Sequence, residues 1–317
     1  MIIHLDQKDW IALARRYYGV DPDPEDVANR VVDVSDAETA IFPLSITHFD
    51  ETTKRLDNES RQRLAKYMVR VSKGWAILPA TRIIEPEIED ACLKALGLRG
   101  YELQKFAIKK GLSQLMGGKA ELVWKKPPPP GLNEELLEKI ESPETLLMIM
   151  ERGFGREELR EKQEPAETGE QKIEQIRKAQ SEITDNELRH RATLAQFLIS
   201  DINPRVIKFL LSIHIDPKAF ADKFLKDQTR IIQLFQSMPT SYNIVELSFR
   251  RDMLTERKVH PHDLNDIMSL SIALPYSDVV VTERMWHTMI VQDKLDKLRP
   301  TRVLTSVQQL PSILIGL

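Results

Sequence analysis

Residues 265–284 read NDIMSLSIALPYSDVVVTER, and this stretch decides the fold. From Asp266 the apolar residues recur at helical spacing, and PYSD then turns the chain. The stretch VVVT at 279–282 has three consecutive valines and stands between this turn and charged residues, which predicts a buried strand. A helix, a turn and a buried strand in this order are typical of an α/β protein with a parallel sheet.

The amino-terminal part of the chain has the same alternation. IIHL at 2–5 predicts a short buried strand that ends at Asp6. Ala40 to Leu44 predicts a second strand, after which Ser45 is placed to cap a helix. Further strands are predicted at WAILP (75–79) and TRVLT (301–305). The two ends of the chain would therefore build one sheet.

The middle of the chain, residues 86–239, predicts a large helical insertion. It contains a proline-rich joint at 126–131. This joint is predicted to be extended and non-helical, because proline fixes φ and donates no backbone hydrogen bond. A charged segment at 155–191 predicts a solvated helix or a linker, with a coiled-coil arm as the alternative. Residues 192–236 regain the apolar periodicity of packed helices. We predict a parallel sheet flanked by helices, built from 1–85 and 240–317 around this insertion.

The composition is that of a soluble globular protein, with 42% hydrophobic and 29% charged residues. No apolar run approaches the roughly 20 residues of a membrane span, and the amino terminus does not resemble a signal peptide. The single cysteine, Cys92, excludes an internal disulfide and a cysteine-based zinc cage, which fits a cytoplasmic location. A net charge of −3 argues against a general nucleic-acid coat protein, but little against an acidic enzyme site.

Acidic residues are placed to meet at one edge of this sheet. Asp6 directly follows the first strand, and Glu283 directly follows VVVT at 279–282. Glu51 lies about two helical turns past the second strand, and Asp266 is predicted to open its helix. Because ligands bind beyond the carboxyl ends of parallel strands, we expect the four side chains to converge. Asp278 directly precedes the VVVT strand, which places it about 13 Å from the carboxyl end, so it is interpreted as a turn residue.

Each acid also has a structural explanation. Asp6 and Asp266 could cap a helix or favour its dipole, Glu51 could face solvent, and Glu283 could be a loop acid. Converging carboxylates nevertheless need compensation, because like charges raise one another's pKa. Hard divalent cations such as Mg²⁺ or Mn²⁺ take oxygen ligands and can activate water for attack on a phosphodiester. The four acids would then serve as both metal ligands and catalytic groups.

The ordered motifs resemble those of the PIN and PIN-like family of nucleases. The family begins with a strand ending in Asp, continues with a strand, a Ser and a Glu six residues later, and finishes with an Asp, a helix, a strand and an acid. The matching stretches here are IIHLD (2–6), PLSITHFDE (43–51) and residues 265–284. The resemblance covers about residues 1–85 and 240–315.

The resemblance implies a Rossmann-like sandwich and a metal-dependent ribonuclease, sometimes a deoxyribonuclease. It implies metal ligation by Asp6, Glu51, Asp266 and Glu283. Glu283 departs from the family pattern, in which Asp is usual and often stands one residue later, at the position of Arg284 here. Small family members often serve as toxins, so a toxin or defence role follows by analogy.

Basic and histidine residues complete the candidate site. We predict phosphate contacts from Arg284, Arg250 and Arg251, with ordinary surface charge as the alternative. His260 and His262 precede Asp263 and could bind a metal, but a polar loop before the Asp266 helix is the preferred interpretation. Tyr242 and Trp286 could stack on bases, although buried aromatic residues are more common.

We predict a Mg²⁺- or Mn²⁺-dependent endonuclease that acts on RNA more than on DNA, with single-stranded DNA as a second substrate. The helical insertion would bind substrate, a regulatory partner or a second copy of the chain, and no membrane partner is expected. A catalytically silent PIN-like scaffold that binds a partner or nucleic acid is the main alternative. A hydrolase of small phosphate esters is a third reading.

Overall fold

The structure is a computed structural model that describes residues 1–124, 128–154, 177–178, 182–254, 256 and 261–315. It is a mostly helical α/β protein with a small parallel sheet. The strands, in chain order, are β1 (Ile3–Leu5), β2 (Trp75–Ile77), β3 (Ile108–Lys110), β4 (Val279–Val281) and β5 (Arg302–Leu304). Strands β1, β4 and β5 form the parallel sheet in the order β1-β4-β5, while β2 and β3 pair antiparallel. Four predicted strands are therefore confirmed, with shorter bounds.

The predicted strand from Ala40 to Leu44 is only partly formed. It makes two isolated parallel bridges, from Ile41 to Ile2 and from Leu44 to Ala76. Pro43 lies between them and has no N–H to donate, so a continuous ladder cannot form there. The segment still connects the two sheets, because the Ile3 N–H donates to the Ile41 carbonyl and the Leu44 N–H donates to the Trp75 carbonyl, at 2.8 and 2.9 Å.

Two apolar cores lie on opposite faces of the sheet, because successive strand residues point to opposite sides. Ile3, Leu5, Val279 and Val281 belong to the first core, and Val280 belongs to the second. Helices of the first core are α1 (Gln7–Tyr17), α2 (Val27–Asp36), α3 (Ile46–Thr53), α4 (Asn58–Ser72), α7 (Leu112–Met116), α9 (Pro143–Arg152) and α18 (Pro311–Leu314). Helices of the second are α5 (Ala80–Ala95), α6 (Leu103–Ala107), α14 (Pro239–Asp252), α15 (Pro261–Tyr276), α16 (Arg284–Gln292) and α17 (Leu295–Leu298).

A third core lies within the predicted insertion. Ile88 and Cys92 of α5 pack there with Val206, Leu210 and Phe235. Its helices are α10 (Asn186–Phe197), α11 (Asn203–Ser212), α12 (Pro217–Phe224) and α13 (Gln228–Gln236), with a π-helical turn at Leu198–Ile202. The packed helices predicted over 192–236 are therefore confirmed. Helix α8 (Leu132–Ile140) precedes α9 and has no buried residue.

The predicted insertion is less separate than its boundaries suggest. Its first boundary, at residue 85, falls inside α5, which contributes to both the second and the third core. Helix α9 also lies within 86–239, yet Leu146 and Met150 pack in the first core. Residues 126 and 127 of the proline-rich joint and most of the charged segment lie outside the described residues. Within the described ranges, no helix has the length and apolar character needed to cross a bilayer.

A buried carboxylate joins α5 to the helices of the second core. Glu87 is fully buried and accepts hydrogen bonds from the Thr240 N–H, the Thr240 hydroxyl and the Tyr276 hydroxyl, at 3.0, 2.6 and 2.7 Å. Burial raises the pKa of Glu87 to about 7, and the bonds from Thr240 and Tyr276 oppose that rise. The network therefore connects three helices through one buried group that needs all its donors.

Removing one of these donors should destabilise the fold. We expect Tyr276→Phe to lower the free energy of unfolding by about 1–3 kcal/mol, because a buried polar group loses its partner. Urea denaturation followed by circular dichroism measures the change. Tyr101→Phe is the matched control, since that hydroxyl bonds Glu89 at an exposed position, and we expect a change within about 0.5 kcal/mol. Equal effects of the two substitutions would contradict the assignment.

Candidate active site

The carboxyl ends of the three parallel strands lie side by side, and Asp6 follows directly from one of them. The Asp6 N–H donates to the Val281 carbonyl at 3.1 Å, and the Thr282 N–H donates to the Leu304 carbonyl at 2.9 Å. Asp6 occupies the cap position of α1, but its side chain makes no capping hydrogen bond. The structure therefore fixes the backbone of Asp6, and its carboxylate is not engaged as a helix cap.

Helix α3 presents Glu51, and its start is fixed by a reciprocal cap. The Ser45 hydroxyl accepts from the His48 N–H, and His48 Nδ1 accepts from the Ser45 N–H, at 3.3 and 3.1 Å. The predicted cap at Ser45 is confirmed, with histidine in the place that Glu or Gln usually takes. Because His48 is buried, the cap also sets the direction in which α3 leaves the sheet.

Asp266 lies in α15, but the prediction that it opens this helix is wrong. The helix begins at Pro261, so Asp266 lies in its second turn and is no cap residue. Proline suits the first position of a helix, where an N–H has no partner in any case. Asp266 Oδ2 accepts a 3.0 Å hydrogen bond from Nε1 of Trp286, a fully buried residue of α16. This bond orients the carboxylate.

Three of the four predicted acids line one cavity. Asp6, Glu51 and Asp266 face a small cavity of about 20 Å³, which has room for about one water molecule. The other lining residues are His4, Gln7, Thr47, His48, Ser269, Leu270, Val281 and Thr282. Glu283 is exposed and does not line the cavity, although its charge raises the pKa of both Asp6 and Asp266. The two ends of the chain therefore meet at this edge of the sheet.

The cavity carboxyls hold their protons unusually tightly. Burial, followed by the charges of Asp266, Asp6 and Asp50, raises the pKa of Glu51 to about 7. Burial, followed by the charge of Asp6, raises the pKa of Asp266 to about 7, against the hydrogen bond from Trp286. Burial also raises the pKa of Asp6, while Lys8 and the N–H groups of the first turn of α1 oppose the rise. Neutral pH therefore lies where Glu51 and Asp266 exchange protons.

Two stacked histidines, His4 and His48, line the cavity beside these acids. The rings of His4 and His48 lie 5.2 Å apart, and burial lowers the pKa of His4 to about 4 and that of His48 well below its usual value. His4 Nε2 lies 3.2 Å from the Ser269 hydroxyl, while Nδ1 of His4 and Oε1 of Gln7 are buried without a hydrogen-bond partner among the described residues. At neutral pH His4 and His48 therefore supply polar atoms to the cavity but no positive charge.

Asp9 is an acid that the sequence analysis did not select. It is 4% exposed, its Oδ1 accepts from the Val307 N–H at 3.3 Å, and its Oδ2 is buried without a partner in the described part of the chain. Burial, then the charges of Asp6 and Glu283, raises its pKa to about 7 against the opposing charge of Lys8. The available signal was its spacing, because an acid three residues after Asp6 shares its side of α1.

The predicted phosphate contacts lie in different surroundings. Arg250 forms a two-bond ion pair with Asp293, and buried Arg251 pairs with Asp252 at 2.7 Å; neither arginine lines the cavity. Arg284 is exposed beside Glu283 and makes no ion pair with a described residue. Lys8, which was not predicted, is exposed and close enough to lower the pKa of Asp6.

The remaining candidates do not join the cavity. Asp278 Oδ2 accepts from the Ile2 N–H at 2.7 Å, at the opposite edge of the sheet, as expected of a turn residue. His260 lies outside the described residues, His262 is exposed and Asp263 is buried. Trp286, a candidate for base stacking in the sequence, is fully buried and instead orients Asp266.

The hydrogen bond from Trp286 should matter for the chemistry of Asp266. In Trp286→Phe we expect the pKa of Asp266 to rise, because the ionised carboxylate loses its donor. A rise should appear in a ¹³C NMR titration of the aspartate carboxyls, and Mn²⁺ affinity should fall about 10- to 100-fold at neutral pH. Trp75→Phe, a change outside the cavity, is the control. An unchanged titration of Asp266 would contradict this role.

The chain has no match among protein-family models, curated proteins or solved structures.

Proposed function

We propose that this protein is a PIN-like, metal-dependent endonuclease that hydrolyses phosphodiester bonds in RNA, and in single-stranded DNA as a second substrate. The observation that supports this best is the cavity in which Asp6, Glu51 and Asp266 meet. Strand β1, helix α3 and helix α15 each contribute one acid, from parts of the chain that are far apart in sequence. Raised pKa values at such a convergence are typical of functional sites.

The strand order supports a Rossmann-like, PIN-like fold for the region around the cavity. When residues 41–44 are counted with the strands they bridge, the order is β3-β2-(41–44)-β1-β4-β5. All neighbours except β2 and β3 run parallel, and helices cover both faces. In such sheets ligands bind at the carboxyl edge, where the cavity lies.

The donor atoms suit Mg²⁺ or Mn²⁺, which prefer carboxylate oxygen. Asp6, Glu51 and Asp266 would hold the ion, with Glu283 close enough to act on the same charge balance. As they stand in the described residues, no three His, Cys, Asp or Glu side chains form a group that could hold a metal ion. Binding would therefore require the carboxylates to draw together. A divalent ion supplies positive charge for a phosphate and lowers the pKa of water.

The side chains themselves can position the substrate and move a proton. Glu51 and Asp266, with pKa values raised to about 7, are suited to accept a proton from an attacking water at neutral pH. Lys8 and Arg284 are exposed and stand close to Asp6 and Glu283 in the chain, and they would contact phosphate oxygens. The toxin or defence role and the cytoplasmic location stay proposals by analogy.

A catalytically silent scaffold is the second candidate. It is favoured by the spread of the three carboxylates and by the exposed position of Glu283 outside the cavity. Such a protein would bind nucleic acid or a partner without divalent metal and leave the phosphodiester intact.

One assay separates these candidates. Purified protein is incubated with labelled single-stranded RNA, single-stranded DNA and matched duplexes, with Mn²⁺ or with EDTA. We expect cleavage of single-stranded RNA that requires Mn²⁺. Intact substrate with every nucleic acid would refute the nuclease, and hydrolysis of bis-p-nitrophenyl phosphate without cleavage of oligonucleotides would indicate a small-ester hydrolase instead.

A further inference from the structure

Two exposed aromatic rings lie beside a lysine at the edge of the sheet that carries the cavity. Tyr101 and Phe106 are 36% and 41% exposed, and their ring centres lie 5.7 Å apart. The ammonium of Lys109 lies 5.2 Å from the centre of the Phe106 ring. Lys109 is exposed and forms no ion pair with a described residue. These three residues are called the aromatic platform below.

The backbone under the aromatic platform is fixed by hydrogen bonds. Buried Asp90 accepts from the Tyr101 N–H at 2.7 Å, and Glu89 accepts from the Tyr101 hydroxyl at 2.8 Å. The Gln114 amide donates to the Phe106 carbonyl at 2.9 Å. Exposed rings lose little conformational freedom on binding when their backbone is already held in this way. The rings are therefore presented to solvent in a preset arrangement.

The strand register places the aromatic platform at the same edge as the carboxylates. Ile108 of β3 lies opposite Ile77 of β2, the Ile77 N–H donates to the Leu44 carbonyl at 2.8 Å, and the 41–44 segment lies beside β1. Because β3 runs antiparallel to β2, Phe106 lies past the level at which β1 reaches Asp6. Three strand spacings separate β3 from β1, which is about 14 Å.

The platform also shares a core with one catalytic candidate. Leu103 and Ala107 flank Phe106 in the chain and pack in the second core together with Ile267, the neighbour of Asp266. The residues next to Phe106 and next to Asp266 are therefore anchored in the same apolar core.

We infer that the aromatic platform binds unpaired bases of a single-stranded nucleic acid whose phosphodiester lies at the carboxylate cavity. Aromatic rings bind the flat faces of bases, and a nearby lysine contacts the phosphates. A duplex hides those faces within its own stack, so the platform selects single strands. This inference rests on the proposed function, since it names the substrate class of the same site.

The test measures binding separately from cleavage. Fluorescence anisotropy of the full chain in EDTA is recorded with a labelled oligouridine and with a matched RNA duplex. We expect Tyr101→Ala/Phe106→Ala to weaken oligouridine binding about tenfold or more and to leave duplex binding unchanged. Tyr101→Phe, which keeps the ring, should bind as the parent does. Thermal unfolding of each variant checks that the fold is intact.

Tyr18→Ala is the matched control. Tyr18 is 39% exposed and pairs with Tyr17 at 5.2 Å between ring centres, but it follows α1, which leads about 16 Å away from the cavity edge. We expect parental binding in this variant. Three results would overturn the inference: absence of oligouridine binding by the parent, parental binding by the double variant, or equal losses on duplex and single strand.

Failure of the platform and failure of the nuclease give different results. If the parent cuts RNA with Mn²⁺ but the platform variants bind like the parent, the platform is refuted and the nuclease stands. If the parent binds oligouridine through the platform but never cuts it, the nuclease is refuted and the silent scaffold remains.

Discussion

Asp266→Asn should lower the rate of Mn²⁺-dependent cleavage of single-stranded RNA by about 10²- to 10⁴-fold, the loss typical of a removed proton-transfer group. Asparagine keeps the size of the side chain and an oxygen that can accept from Trp286, so the fold should persist. It removes the negative charge that a divalent ion requires. Single-turnover rates on labelled RNA measure the effect, and Asp6→Asn and Glu51→Gln should give losses of the same order.

Asp278→Asn is the control for this prediction. Asp278 carries the same functional group at the opposite edge of the sheet, and an Asn oxygen can still accept from the Ile2 N–H. We expect the control to cut at close to the parental rate. Parental rates in both Asp6→Asn and Asp266→Asn would show that the cavity is not the catalytic site.

Glu283→Gln tests the one member of the four predicted acids that does not line the cavity. If Glu283 is a fourth metal ligand, its substitution should lower the cleavage rate as much as Asp266→Asn does. If it acts only through its charge, the rate should fall about tenfold or less. The same cleavage assay therefore separates a ligand from a neighbour.

The second large effect concerns stability, which should fall as pH rises from about 4 to about 7 in the absence of divalent metal. The unfolded chain ionises Glu51 and Asp266 near their ordinary pKa values of about 4. The folded chain ionises them only near pH 7, because their pKa values are raised to about 7. Within this window the folded state binds more protons, so each rise in pH favours unfolding, and above pH 7 the penalty stays constant.

Mn²⁺ should reverse this loss, because it binds the folded state and neutralises the clustered charge. At a free concentration of 100 times its Kd the gain is about 2.7 kcal/mol. Urea denaturation between about pH 5 and pH 8, with and without Mn²⁺, measures both effects. Cooperative unfolding at each pH is checked with two spectroscopic probes.

The double variant Glu51→Gln/Asp266→Asn tests the cause. At pH 8 without metal it should be more stable than the parent, show a weaker pH dependence and gain nothing from Mn²⁺. A residual slope is expected, because burial also raises the pKa of Asp9 and Glu87 to about 7. A variant that is less stable than the parent at pH 8 would contradict the explanation.

Sequence patterns were sufficient for four of the five described strands, all except β3, and for three acids of the cavity. The buried strands are short apolar runs next to turns, and Asp6 follows one of them directly. The start of α15 was missed because it depends on Pro261, five residues before the apolar periodicity that marks the helix. The strand at 40–44 was overestimated because a single proline interrupts the hydrogen bonds without changing the apolar pattern.

Other features depend on contacts between distant residues. Arg250 looked like a phosphate ligand, but Asp293, 43 residues later, already occupies its guanidinium. Trp286 lies 20 residues after Asp266, and only the fold shows that it is buried and bonds this carboxylate. The pKa values of Asp9 and His4 could not be predicted from the sequence, because burial in the fold sets them.

The pairing of β1 with β4 has a consequence for synthesis of the protein. The Ile2 N–H bonds a side chain 276 residues later, so the first strand can form this pairing only after that later part of the chain has left the ribosome. Pairings of such separation form slowly, and domains complete only as their last parts emerge. Asp6 and Glu51 are made early and Asp266 late, so a growing chain carries an incomplete cavity. The acidic cluster thus cannot be complete until Asp266 has left the ribosome.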